Sequence, residues 1–167
     1  MAFVVETGSG LIDANSYATT AYADAYFTER SNTVWSTYTL ALKQGALIRA
    51  TDYIEMRYAA LFSGTVLYPD TPQALSFPRK NSTGVSIGLP INIQRATCEY
   101  AVRSLVDVLV KDNLNVEGVS TRIKIGSIEQ DTIYPTTPRQ AKQFASYPTA
   151  DLLIAPYLKS NISQVVR

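Results

Sequence analysis

The chain has no histidine and one cysteine in 167 residues. Without histidine, Ser–His–Asp and Cys–His catalytic arrangements are excluded, as are His-containing zinc sites. One cysteine excludes an intrachain disulfide and any Cys₂ or Cys₄ metal site. An excess of one charge sign is also missing: 15 Lys+Arg face 14 Asp+Glu, a net +1. That argues against a protein whose main task is gripping nucleic acid, where a basic excess is the rule. No apolar run approaches the roughly 20 residues of a membrane span. Met1–Gly10 lacks the basic and apolar regions of a signal peptide. A cytosolic protein with no membrane partner is therefore expected. There is no repeat of solenoid period and no low-complexity tract.

Charged residues make up 17% of the chain and apolar ones 46%. So few charges suggest that some surface is covered by partners. The charges also form a gradient. Residues 1–35 hold four acids and one base, residues 36–113 eight bases and six acids, and residues 114–167 six bases and four acids. Length implies one domain with a real core.

Periodicity predicts a mainly α fold: a small helical bundle of three principal helices, one β-hairpin and an extended C-terminal arm. The divisions fall at 1–116 for the helical body, 117–134 for the hairpin and 135–167 for the arm. The first helix starts near Thr19 or Thr20 and ends by Ser31, with Tyr22, Ala25 and Tyr26 on one face. Trp35 anchors the following loop. Thr39 caps the second helix, which runs to about Phe62 with Leu40, Leu47, Ala50, Ile54, Tyr58 and Leu61 as its stripe. Gly64 marks its end, and Gly64–Leu89 reads as a long connection. Pro90 opens the third helix, whose stripe is Ile91, Cys98, Val102, Leu105 and Leu109 and whose end is placed near Asn113. Glu99–Arg103 and Asp107–Lys111 are i,i+4 pairs in the favourable order.

From Val119 the period changes to two. A Gly126–Ser127 turn sets Ile125 against Ile128, Lys124 against Glu129, Ile123 against Gln130 and Arg122 against Asp131, a hairpin over about 119–133. Tyr134–Arg167 is punctuated by Pro135, Pro138, Pro148 and Pro156, with a short helix at Thr149–Ile154.

Few residues point to chemistry. Cys98 lies on a core stripe and reads as a small buried hydrophobe. Asp52 and Glu55 read as a solvated helix face. Gly8-Ser9-Gly10 lacks the continuation of a phosphate loop. Asn81-Ser82-Thr83 and Asn161-Ile162-Ser163 are chance sequons. No catalytic, cofactor-binding or metal-binding residue is expected, and no enzyme. Phe77-Pro78-Arg79-Lys80 stands out as a basic loop that can face a neighbour, a nucleic acid or a channel. Of the eleven tyrosines, Tyr134, Tyr147 and Tyr157 lie in the arm, where interface contact competes with burial in a core.

Five motifs occur in order: Val5-Glu6-Thr7-Gly8-Ser9-Gly10 with Asp13-Ala14-Asn15-Ser16-Tyr17; Asp24-Ala25-Tyr26-Phe27; Ala46-Leu47-Ile48-Arg49-Ala50-Thr51-Asp52-Tyr53-Ile54; Gln73-Ala74-Leu75-Ser76-Phe77-Pro78-Arg79; and Pro90 opening a long helix. Together they resemble a family of small proteins of tailed bacteriophages, often labelled DnaT-like single-stranded-DNA-binding proteins and similar to head–tail connector adaptors. The resemblance is good over residues 4–113 and loose beyond.

It implies two functions. The balanced charge and the arm favour the first, a structural virion protein. That protein is a head-to-tail adaptor forming a closed ring, a dodecamer, under the portal in the virion neck after assembly in the host cytoplasm. Its partners are its own copies, the portal protein, the next neck or tail protein, and double-stranded DNA passing transiently and non-specifically through the lumen. Candidate contacts with the portal or a neighbouring subunit are Tyr147, Tyr157, Leu158, Lys159, Val165 and Arg167. Arg79, Lys80, Arg122 and Lys124 are candidates to face the lumen or a neighbour. The alternative is a DnaT-like single-stranded-DNA-binding protein of phage replication, which needs stacking platforms and a basic groove.

Overall fold

A computed structural model describes residues 2–70, 72–110, 119–125, 128–134 and 144–159. The chain divides into two compact units, Met1–Leu109 with Ser146–Arg167, and Val110–Ala145.

The first unit is helical. Helix α1 (Thr20–Glu29) starts where the Thr19 hydroxyl accepts from the Tyr22 N–H. Helix α3 (Leu40–Tyr58) starts in the same way, with Thr39 accepting from Leu42 N–H. Such caps satisfy amide groups that have no partner inside a helix. Between them lies the short helix α2 (Thr33–Ser36), capped by Asn32. It buries Trp35, whose indole N–H donates to Asp24 at 2.7 Å. Lys43 donates to the same carboxylate oxygen at 2.8 Å, so Asp24 ties α1, α2 and α3 together. Burial raises the carboxyl pKa of Asp24, but the hydrogen bonds from Lys43 and Trp35 and the Lys43 charge outweigh it and hold it below the ordinary carboxylate range.

Helix α4 (Ile91–Ser104) packs along α3, and helix α5 (Pro148–Ile154) packs on α4. A 3₁₀ turn, Ala155–Tyr157, follows α5. The core joins Ala46, Leu47, Ala50 and Ile54 of α3 to Ile93, Ala96 and Ala101 of α4. Aromatic rings fill the ends. Phe77 meets Phe62 at 4.9 Å and Tyr157 at 6.0 Å, both edge-on, an arrangement favoured by the ring quadrupole.

The long connection after α3 holds three short strands, β1 (Thr65–Val66), β2 (Arg79–Lys80) and β3 (Ser86–Gly88), in the antiparallel order β1-β2-β3. Gly64 turns the chain into β1 with φ +72°; a Cβ there would lie 2.0 Å from the Lys80 carbonyl oxygen. Strands of two or three residues leave no alternation to read, so the pattern hid this sheet.

In the second unit, β4 (Val119–Ile125) and β5 (Ile128–Tyr134) form an antiparallel hairpin. Arg122 is paired with Asp131, Lys124 with Glu129, Ile123 with Gln130 and Ile125 with Ile128, the predicted register. The turn residues 126–127 lie outside the described residues.

The mainly α fold with a hairpin is therefore present, with some boundaries corrected. α4 ends at Ser104, not near Asn113. The Ser104 hydroxyl donates to the Ala101 carbonyl, and the Asp107 carboxylate accepts from the Val108 N–H. These local bonds compete with the helix, and β-branched Val106, Val108 and Val110 favour leaving it. On α1 the buried set is Ala23, Tyr26 and Phe27, and Ala25 is exposed. The arm is not extended over 147–159. Ser63 N–H donates to Tyr157 O at 2.8 Å and Lys159 N–H to Leu61 O at 3.0 Å, which binds it to the end of α3.

Burial pushes the Tyr53 phenol up to about 12 and raises Tyr17, Tyr58 and Tyr100 above their ordinary value as well. An unfolded tyrosine ionises near pH 10. The raised folded values stabilise the protein fully below about pH 10, and this contribution is lost as pH rises through them. Stability should therefore fall from about pH 10 upward. Phenolate absorbance of the buried rings should appear together with the loss of helical circular dichroism. Ordinary titration of all eleven tyrosines in an intact fold would contradict this.

Candidate functional site

Several charged groups that attract notice in the sequence serve the fold. Arg79 is 7% exposed. Its guanidinium donates to the carbonyls of Ser63 at 2.9 Å, Gly64 at 2.8 Å, Ser76 at 3.2 Å and Phe62 at 3.4 Å. It clamps the chain beyond α3, so its donors are spent inside the protein. Glu6 accepts from the N–H groups of Gly8, Ser9, Gly10 and Leu11 at 2.8–2.9 Å. The glycine turn thus forms a cradle for an anion that the chain itself supplies. Glu55 is not on a solvated face: it accepts from the Tyr17 hydroxyl and from the Ser76 N–H and hydroxyl. Asn81 accepts from the Thr83 and Val85 N–H groups, which makes its segment a side-chain-closed turn.

The remaining candidates divide. Lys80 is half-buried in β2. Tyr147 packs edge-on against Tyr53 and Tyr100, with ring centroids 6.1 and 5.8 Å away. Tyr157 meets Phe77, and Leu158 bridges to Phe62. The Lys159 ammonium donates to the Ala60 carbonyl. These arm residues thus bind the protein's own body. Arg122 and Lys124 lie on β4, in the second unit. Val165, Arg167 and Asn161 lie outside the described residues. Cys98 is fully buried, and burial is the first cause that pushes its thiol up, so it is not a poised nucleophile. Among the described residues no group of three or more His, Cys, Asp or Glu could hold a metal ion, and no helix is long and apolar enough to cross a membrane.

One open cleft of about 250 Å³ gathers aromatic and cationic side chains. It lies between α1 and the start of α4. Tyr22, Ala25, Tyr26 and Glu29 line it from α1, Arg30 from the residue that ends α1, and Ile91 and Arg95 from α4. The helical spacing of 22, 26 and 30 places these three on one face. The Tyr22 and Tyr26 rings are stacked with centroids 6.4 Å apart and an interplanar angle of 26°. The Arg30 guanidinium lies 3.6 Å from the Tyr26 ring centroid and donates to the Tyr26 carbonyl. Tyr26 is buried, and its hydroxyl donates to Glu99 at 2.8 Å. Burial, then the Glu99 carboxylate, raises this phenol above its ordinary value, so it stays a neutral donor. Tyr22 is only half-buried. Arg95 has no hydrogen-bond or ion-pair partner among the described residues. The cleft thus offers a ring for stacking, an apolar Ile91 side chain and two cations. The face expected from periodicity, Tyr22, Ala25 and Tyr26, is the face that lines this cleft. The signal passed over was the Tyr22–Tyr26–Arg30 succession at steps of four.

A protein-family model described as "Putative DnaT-like ssDNA binding protein" matches residues 1–167. The chain belongs to this family. No curated protein and no solved structure matches it.

Membership of the DnaT-like family over the whole chain corrects the preferred functional reading. The match favours a single-stranded-DNA binder and gives no support to a head-to-tail adaptor, a virion neck or a portal contact. Two arguments for the adaptor also weaken physically. The arm is occupied by its own body over 147–159. Near-zero net charge does not describe the cleft, where two arginines face one glutamate.

The clamp assignment of Arg79 is testable. Arg79→Ala strands several carbonyls and should cost about 2–4 kcal/mol in urea unfolding. Arg79→Lys should recover only a part, because an ammonium cannot reproduce the guanidinium fork. Unchanged stability in Arg79→Ala would refute the clamp.

Proposed function

We propose that the protein binds single-stranded DNA, without catalysis, through the α1–α4 cleft. The observation that carries this reading is a half-buried ring, Tyr22, set in one open cleft with Arg30 and Arg95. Membership of the DnaT-like family supports the same ligand.

The chemistry favours a single strand over a duplex. Every base has a π-face that can stack on an aromatic ring, and in a single strand that face is accessible. In a duplex both faces are covered by neighbouring pairs, and exposing one costs a few kcal/mol. Arg30 and Arg95 can meet the phosphates on either side of a stacked base. Ile91, 53% exposed at the first turn of α4, adds apolar surface that a base can cover. Two cations give a small electrostatic contribution, so stacking supplies much of the affinity.

Fluorescence anisotropy with labelled oligonucleotides at increasing salt tests this. Single strands should bind more tightly than a duplex of the same length. The slope of log K against log salt should be shallow, about −1.4 for two phosphate contacts. Tyr22→Ala should weaken binding by about 1–3 kcal/mol, and Arg95→Ala should make the slope shallower by about 0.7. Equal affinity for duplex, or full affinity in Tyr22→Ala, would show that the cleft is not the site.

A further inference from the structure

The cleft contains a group that a simple phosphate-and-stacking site does not need. Glu29 lines it from the last turn of α1. Its side chain is 75% exposed. A carboxylate in the path of a polyanion weakens binding by repulsion. Its own pairing does not remove that cost, because the closest approach to Arg30 is a long 3.8 Å. Among the described residues Glu29 accepts no hydrogen bond from any other group. Glu99 differs. One of its oxygens accepts from the Tyr26 hydroxyl, and the other lies 3.9 Å from Arg103. Glu29 is thus the carboxylate of this region with its acceptor capacity unspent.

An ionised carboxylate can only accept hydrogen bonds. At the exocyclic position it is matched by the amino groups of cytosine (N4) and adenine (N6), whereas thymine presents the carbonyl oxygen O4 there and keeps only its ring N3–H as a donor. We propose that Glu29 makes the cleft selective for bases that carry an exocyclic amino group over thymine. Tyr22 holds the base by its face, Arg30 and Arg95 hold the flanking phosphates, and Glu29 reads the edge. The proposal rests on the single-stranded-DNA reading and adds a base preference to it.

The test uses the full chain with oligo(dC) and oligo(dT) of equal length, both pyrimidine strands, in competition for the same labelled oligonucleotide. Oligo(dC) should bind about fivefold or more tightly than oligo(dT), the scale of one charge-assisted contact to a base edge. In Glu29→Gln the preference should collapse, and affinity for oligo(dT) should rise, because the amide removes a negative charge and can donate to O4. Circular dichroism should match wild type, since the side chain is exposed. Equal binding of the two strands by wild type overturns the selectivity and leaves single-strand binding standing. A preference that survives in Glu29→Gln overturns the role of Glu29. Failure to bind either strand overturns the functional reading and the selectivity together.

Discussion

The first unit depends on one buried carboxylate. Asp151 on α5 is 5% exposed. It accepts from the hydroxyls of Tyr58 and Tyr100, from the Arg57 guanidinium at 3.2 and 3.4 Å, and from the Tyr147 N–H at 3.1 Å. A buried ion without such partners costs several kcal/mol. Its donors come from α3, from α4 and from the residue that precedes α5. The three helices must therefore converge for the charge to be tolerated. This fixes residues 147–159 on the body and sets the position of α4. The next contact lies one residue away along α4, where Glu99 accepts from Tyr26 of α1. Successive residues on a helix point about a quarter-turn apart. Tyr100 therefore faces α5 while Glu99 faces α1, and between them they set the separation of α1 and α4 that makes the cleft.

The same principle governs most of the other charges that draw attention in the sequence. Glu6 closes the glycine turn, Glu55 joins α3 to Tyr17 and Ser76, and Arg79 gathers carbonyls beyond the end of α3. Each interior ion is held by hydrogen bonds and not by an opposite charge alone, the arrangement that low-dielectric surroundings require. Glu6, Glu55 with Ser76, and Arg79 lie in or beside the five motifs, and each serves the fold. In this chain the five motifs are thus largely sites of internal hydrogen bonding, which is why they reveal no reaction.

Long-range period and local capping were legible. Thr19 and Thr39 start helices as capping chemistry predicts, and Cys98 lies in the core. The hairpin register followed from pairing opposite charges while keeping isoleucines together. What could not be read was tertiary. Arg79 and Lys80 are adjacent cations in the sequence, yet one is buried among carbonyls and the other sits half-buried in a strand. Tyr147 and Tyr157 look like free aromatics until α5 folds back. The Tyr22–Ala25–Tyr26 face carried a correct helical period, but period alone cannot say which stripe meets the core when Ala23 and Phe27 form an equally good one. Period therefore groups the residues that line the cleft without showing that Tyr22 and Ala25 stay open to solvent while Tyr26 is buried.

The balance of charge deserves a different weight from the one it carries in composition. A net +1 sums ions that solvent meets with ions such as Asp151 and Arg79 that it barely reaches. A ligand responds to the field at its own site, within about a Debye length of 8–10 Å. At the α1–α4 cleft the lining charges are Arg30, Arg95 and Glu29, with Glu99 and its neighbour Arg103 behind Tyr26. So small a cationic excess cannot drive strong counterion release. A nucleic acid held there must gain most of its affinity from ring contact, and ring contact requires an unstacked base. On the proposed reading, weak overall charge and a preference for single strands are two consequences of one design. A more basic cleft would bind the backbone of duplex and single strand alike and lose the distinction that stacking makes.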